Sequence, residues 1–589
     1  MSLGVSGLSL AKATLDKAVL ECAPKALPPT FKIPDIPPSS SICRLSMKHQ
    51  LTTLPESKVP VQIVRLNTHF HHVSVCLDAA SLPSHLRPYI NLLKEMLLST
   101  HLREDDGSLV DYKDVVKMIQ KDTVSAGCGM GLSGGSPCGS LQGVFCFGGV
   151  SLPGREGYKK LCEWIYKVLF KTTFDEARVT TCIKNVLQDI TGMLRDGSTV
   201  QSTLTTTLTA VELIPEDGVS KAGSDEALRA AREINDVALS LFRQKPFMKK
   251  LNADIKKRGK AAAQQVVAHL EELRRALVSL SPPVVIQIGV PEGDGEDEDA
   301  AALIKELSDL LDMGRQQISG DAVSGAEKRG RRQSKRRRGE NSKEECQKPE
   351  TRTVPRDARI LEGVKRRNVI ERCVIVPVEG IDSSYVGQVV PCAVHKLDAD
   401  FMPVYFLTEL LSRSEGPLWV GIRGLGYAYH ASLDFSTLTG QITFTLGECS
   451  APAKALQAFH DIMQSVPEML ASADVDKALA ETRASMLYSL HSLRATATSV
   501  MHQGMKSYFA GAQSPESDLD LETERVSAVG KDDLLRVWKA YFSVFLQKGV
   551  RCTSVASPGK LGAQVRSELE ATLGVTPEIR SLDEVLIDE

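Results

Sequence analysis

At 589 residues the chain exceeds what one hydrophobic core can organise and implies two to four domains. Its 42% hydrophobic and 24% charged residues are ordinary for a globular protein, and a formal net charge of −2 argues against a nucleic-acid or membrane-surface binder as a whole. No run reaches the roughly 18 consecutive apolar residues of a membrane span.

In chain order, residues 1–58 read as a helix and then a proline-rich crossing, LPPTFKIPDIPPSSS, in which Pro cannot donate to a regular element. Acidic residues interrupt the opening stretch and arginine is scarce, so neither a secretory signal nor a transit peptide is expected. The expectation is the tail of a missing preceding domain, followed by a linker. Residues 59–290 then alternate strands and helices. VPVQIVRL, HHVSVCLDA, GMGLSGG and SLQGVFCFGGV have strand character; LRPYINLLKEMLLST and YKDVVKMIQKDT have the helical period; Val284–Val290 closes the unit as a buried strand. Residues 291–366 carry an acidic run, one more helix and the basic run Lys328–Arg338, and are expected to be a linker with a disordered insert. Residues 367–589 form a second α/β unit.

The second unit repeats the first. In each, a glycine-bearing turn, a strand, a short turn and a strand with the pattern x-L-x-G-x-x-x-F lead into two helices, so that Gly143 aligns with Gly440 and Phe147 with Phe444. A period near 300 residues is a domain duplication. The 13 cysteines are odd in number, are never spaced C-x-x-C, and sit in apolar runs such as those around Cys146 and Cys373; this is the usage of a reducing compartment.

The order SLPSHLRPYINLLKEMLL, DYKDVVKMIQKDTVSAG and GPLWVGIRGLGYAYHAS resembles the C-terminal half of the pitrilysin/insulinase-type zinc metallopeptidases, in their presequence-protease branch. The resemblance covers residues 60–290 and 365–560. It implies an α+β fold of two homologous pitrilysin-type domains forming one half of a clamshell, with antiparallel-rich sheets packed by helices. In that family the N-terminal half holds zinc through an inverted His-x-x-Glu-His motif and a distal Glu, leaving one position for water. The C-terminal half holds no metal and contributes an arginine and a tyrosine. Here these fall on Arg423 and on Tyr429 or Tyr427, as substrate-binding and oxyanion-stabilising donors. The run RGLGY departs from the two glycines that usually precede Ala-Tyr in the branch.

None of the 12 histidines begins His-x-x-Glu-His or His-Glu-x-x-His. His101 is followed by Glu104, but Asp105 stands where the second histidine belongs, at an expected helix end. His69 and His71 would share a face if THFHHVSV is one strand, with His72 opposite; no third ligand is evident. No metal site or cofactor is therefore expected on this chain, and zinc is implied only for an N-terminal half. Neither a G-x-S-x-G elbow in a strand-to-helix frame nor a Walker motif occurs.

Three functions stay open on these residues. One is the C-terminal half of a zinc metalloendopeptidase that degrades unfolded peptides, completed by an N-terminal half from the same gene product or a separate chain. Another is a non-catalytic structural or peptide-binding pitrilysin-like protein. The third is an adaptor acting through Lys328–Arg338. The cytoplasm is the default compartment, with mitochondria or another organelle open if a presequence lies upstream.

Overall fold

The computed structural model describes residues 45–587 apart from 46, 55–56, 132–142, 210–237, 280–281, 293–295, 334–370, 395, 397, 438, 474 and 510–514. The expected N-terminal helix, the proline-rich crossing, most of GMGLSGG and the side chains of the basic run lie outside the described residues.

Two six-stranded sheets organise the described residues. The first contains β1 (Met47–Thr53), β2 (Pro60–Leu66), β3 (His72–Asp78), β6 (Thr123–Met130), β7 (Val144–Ser151) and β9 (Val285–Pro291), in the order β1-β2-β9-β3-β7-β6. Short strands β4 (His101–Arg103), β5 (Leu109–Val110) and β8 (Thr172–Thr173) make a small separate sheet. The helices of this lobe are α1 (Ile90–Leu97), α2 (Tyr112–Asp122), α3 (Arg155–Tyr166), α4 (Glu176–Met193), α5 (Gly197–Leu208), α6 (Leu241–Arg258), α7 (Lys260–Ser279) and α8 (Glu296–Gln333).

The second sheet contains β10 (Arg372–Val378), β11 (Ser384–Pro391), β12 (Ala428–Ser436), β13 (Gln441–Cys449), β14 (Cys552–Pro558) and β15 (Glu578–Ile579), in the order β12-β13-β11-β14-β10-β15. Helices α9 (Phe401–Ser412), α10 (Pro452–Ala471), α11 (Val475–Ser492), α12 (Ala497–Phe509), α13 (Pro515–Ala528), α14 (Lys531–Val537), α15 (Gly562–Leu573) and α16 (Leu582–Ile587) belong to this lobe.

Five of the six positions match between the sheets, edge to interior: β6 with β12, β7 with β13, β3 with β11, β9 with β14 and β2 with β10. In both, an interior parallel pair (β2 with β9, β10 with β14) adjoins antiparallel neighbours; in the second sheet the short edge strand β15 also pairs parallel with β10. The fold is thus α+β, as expected. Gly143 and Gly440 hold φ of +62° and +63°, a left-handed turn open to glycine at low cost, just before equivalent strands. Phe147 and Phe444 are buried in the two cores.

Two of the expected boundaries fall elsewhere. Met47–Thr53, placed in a linker running to residue 58, pairs antiparallel with β2 as an edge strand. Residues 291–366, placed in a linker, begin with α8, whose Ala300, Leu303, Leu307 and Leu311 are buried in the first core at helical spacing.

Each lobe lends one helix to the other's sheet. Helix α5 lies on β11 and β14 of the second sheet, and α12 lies on β2 and β9 of the first. The Gln201 Nε2 donates to Ser554 Oγ at 3.1 Å; across the other contact Gln287 Nε2 donates to the Met501 carbonyl at 2.8 Å and Gln62 Nε2 to the Gly504 carbonyl at 2.9 Å. These buried amides are satisfied, as a polar group in such an interface must be. A Cβ on Gly387 would sit 2.0 Å from Gln201 Nε2, 2.9 Å from Thr205 Oγ1 and 3.0 Å from Ser554 Oγ, so glycine leaves these side chains room where α5 seats. With helices on both faces, β2 is buried at six of its seven positions.

Candidate functional site

The sequence-derived pair is set by one local device at the open edge of the second sheet. After α9 the chain makes a π-helical turn, Trp419–Arg423, closed by the Gly424 N–H on the Trp419 carbonyl at 2.8 Å. Gly426 then takes φ +74°, donating to the Arg423 carbonyl at 2.9 Å, and the chain reverses into edge strand β12. This reversal brings the Arg423 guanidinium to 4.5 Å from the centroid of the Tyr429 ring and 5.8 Å from that of Trp419. Such stacking at an exposed site contributes about 0.5–1 kcal/mol and holds the planar fork in one orientation.

Tyr427 takes a different course. Its N–H donates to the Ile422 carbonyl at 3.1 Å, its own carbonyl accepts from Ser450 N–H at 2.9 Å, and its ring packs against the second core. It precedes β12 instead of sharing a strand face with Tyr429. Among the described residues, neither the Arg423 guanidinium nor the Tyr429 hydroxyl has a hydrogen-bond partner within the chain. Tyr429 is 60% exposed and Leu425 59%, with Trp419 and Val420 also open. An aromatic-apolar patch with one fixed cation and one phenolic donor faces outward, a combination suited to peptide carbonyls and carboxylates.

Beside it, residues that sequence reasoning missed line the exposed side of β12. His430 Nε2 lies 3.1 Å from Ser432 Oγ, and Ser432 Oγ donates to Asp434 Oδ2 at 3.4 Å. The alternation of polar residues at 430, 432 and 434 was the available signal. On the other side of the strand the Ser412 hydroxyl accepts from Leu433 N–H at 2.8 Å.

The histidines of the first lobe do not converge. β3 begins at His72, so His69 and His71 do not share a strand face; His69 is exposed, and His71 is buried against the Tyr158 ring at 5.2 Å. Burial holds His72 below its ordinary pKa. His101 lies in β4, not at a helix end; its Nε2 is 3.1 Å from Asp175 Oδ2, and its Nδ1 accepts from Tyr112 N–H at 3.2 Å. Among the described residues, no group of three or more His, Cys, Asp or Glu side chains is arranged to hold a metal ion.

The geometry has counterparts among known structures. The chain superposes on a protease from Helicobacter pylori (TM-score 0.53, 11% identical, covering 87% of this chain and 100% of that one). It does so equally on a peptidase M16 inactive domain from Pseudomonas fluorescens (0.53, 13%, 87% and 98%) and on the first half of the periplasmic protease PqqL from Escherichia coli (0.53, 11%, 92% and 100%). The fold is therefore that of M16, or pitrilysin-type, peptidase halves. By sequence the chain is 24% identical over 429 residues to an uncharacterized protein of Caenorhabditis elegans, covering 73% of this chain and 36% of that protein. It is 23% identical over 400 residues to an uncharacterized protein of Saccharomyces cerevisiae, covering 66% and 32%. The chain thus spans about a third of the length of the curated relatives it matches. No family model matches it.

Proposed function

We propose that this chain acts as the C-terminal-type half of a pitrilysin-type zinc endopeptidase of the presequence-protease branch, presenting Arg423 and Tyr429 to a peptide held by a separate metal-bearing half. The observation that carries the reading is the stacked, outward-facing Arg423–Tyr429 pair, on a fold shared with M16 halves and spanning about a third of longer relatives. Zinc would be held by residues of the other half and, when bound, would supply an activated water. Arg423 binds the backbone carbonyl or carboxylate of an unfolded peptide through its fork. The Tyr429 hydroxyl donates to the oxygen on which charge develops as the tetrahedral intermediate forms. With a peptide and the other half covering the patch, Trp419, Val420 and Leu425 would exclude water around both donors and strengthen them.

The test is reconstitution. The purified chain alone should hold no stoichiometric zinc and cleave no quenched-fluorescent peptide, whereas adding a half with His-x-x-Glu-His should restore turnover. Arg423→Ala or Tyr429→Phe in the assembled enzyme should then lower kcat by about 10²–10³-fold, as loss of one preorganised donor does. One tightly bound zinc with turnover in the isolated chain would overturn the proposal.

A second reading is favoured by the Pseudomonas fluorescens neighbour, which is described as an inactive domain. In it the same patch binds extended peptides without taking part in chemistry. Unchanged turnover in the assembled Tyr429→Phe enzyme, with weaker peptide binding in Arg423→Ala, would select it.

A further inference from the structure

Two thiols outside this patch face each other across the first sheet. Cys76 on β3 is directly opposite Cys146 on β7, and their sulfurs are 3.1 Å apart. The Cys76 carbonyl accepts from Val284 N–H at 2.7 Å, so its backbone points towards β9 and away from β7. Cys76 and Cys146 are therefore a non-hydrogen-bonded pair, the position where antiparallel strands bring Cα atoms closest, to about 4.5 Å, within the roughly 4.4–6.8 Å range that a disulfide spans. The sulfurs need to close only about 1 Å further to reach bonding distance.

The surroundings single the pair out. Both side chains point to the face covered by α12, where Met505, Tyr508 and Phe509 pack with Cys76, Val144 and Val285. The duplication supplies an internal control: the equivalent cross-strand pair in the second sheet is Val389 opposite Thr443. The second lobe thus builds the same frame with no sulfur at this cross-strand pair.

We infer that Cys76 and Cys146 form a reversible oxidation site, converted to a cross-strand disulfide by a hydroperoxide beneath the helix that joins the two lobes. Cys146 is the half-buried member and meets the reagent first; Cys76 is fully buried. The Cys146 sulfur attacks one peroxide oxygen, the O–O bond breaks, an alcohol or water leaves, and Cys146 becomes a sulfenic acid. The Cys76 sulfur then attacks the Cys146 sulfur, the S–O bond breaks, and the hydroxyl leaves as water with the Cys76 proton. Two thiols and one hydroperoxide thus give one disulfide, one alcohol and one water. The contact with Cys146, and then burial, push the Cys76 thiol well above its ordinary pKa, so it reacts only with a sulfur already delivered to it.

The experiment treats the full chain with hydrogen peroxide, alkylates it after unfolding, and maps peptides without reduction. Two fewer alkylated cysteines are expected, with one linked peptide pair carrying residues 76 and 146, reversed by dithiothreitol. The oxidised form should melt several degrees higher, because a closed loop constrains the unfolded chain. The double variant Cys76→Val/Cys146→Thr copies the second lobe and should fold, with neither the linkage nor the melting shift. Two intact thiols after oxidation would overturn the inference. So would a sulfinic or sulfonic Cys146 beside an alkylatable Cys76.

Discussion

The two lobes share a strand order but differ at the point where a helix enters the edge strand. In the first, α2 runs directly into β6, and the register that aligns Gly143 with Gly440 places Thr123–Val124 where the second lobe has Tyr429. Thr123 is buried, its hydroxyl donating to the Ile119 carbonyl at 2.8 Å. In the second, a π-turn and Gly426 insert a loop that turns an arginine and a tyrosine outward. A duplicated frame can stay constant while one copy alone presents an exposed cation and phenol, because the inserted turn lies ahead of the strand and leaves the ladder intact.

The comparison breaks most visibly if the two edges prove equivalent in an assembled enzyme. The Arg423→Ala and Tyr429→Phe losses described above should have no parallel at Val124→Ala, which should leave turnover unchanged in the same assay. The next contrast lies inside the lobes. Gln388 and Thr553 occupy the places held by Val75 and Ile286, and Gln388 Oε1 lies 2.9 Å from His460 Nε2. Burial first, and Arg551 second, lower the His460 pKa from 6.5 to about 4. The unfolded chain therefore takes up this proton before the folded one does. The stabilising contribution is full above pH 6.5 and lost as pH falls towards 4, up to about 3 kcal/mol. Denaturant unfolding across this range should show that slope, and His460→Gln should flatten it.

Smaller effects sharpen the helix exchange. Gly387→Val should destabilise by about 1–3 kcal/mol through overpacking against Gln201, Thr205 and Ser554, with part recovered by Gln201→Ala in a double-mutant cycle. The lent helices also start alike. Asp196 accepts from Thr199 N–H at 2.7 Å ahead of α5, and Thr496 Oγ1 accepts from Ser499 N–H at 3.2 Å ahead of α12. Removing either cap by substitution to Ala should cost about 1 kcal/mol in thermal unfolding, with Asp196 the larger.

Much of this frame was legible because it rests on local rules. The left-handed glycines at 143 and 440, the buried phenylalanines four residues later and the paired helices all leave a mark on sequence. Strand β1 did not: MKHQLTT is polar, and only its pairing with β2 makes it a strand. The true extent of α8 was readable in the spacing of Ala300, Leu303, Leu307 and Leu311, but the flanking charge runs masked it. Helix α5, GSTVQSTLTTTL, is rich in β-branched threonine and gives no hint that it belongs on another sheet. At the candidate site, the motif names Arg423 and Tyr429; their stacking, and the turn of Tyr427 against the second core, follow from the chain reversal at Gly426 and were not legible in it.

The helix exchange bears on how this protein can be cut and inherited. Separated at residues 334–370, either portion would carry a helix with no sheet to cover and a sheet stripped on one side, leaving satisfied amides such as Gln62, Gln287 and Gln201 without their acceptors. The two repeats should therefore fold as one unit: truncations that respect the apparent repeat should yield insoluble pieces, and only the interlocked pair should survive proteolysis intact.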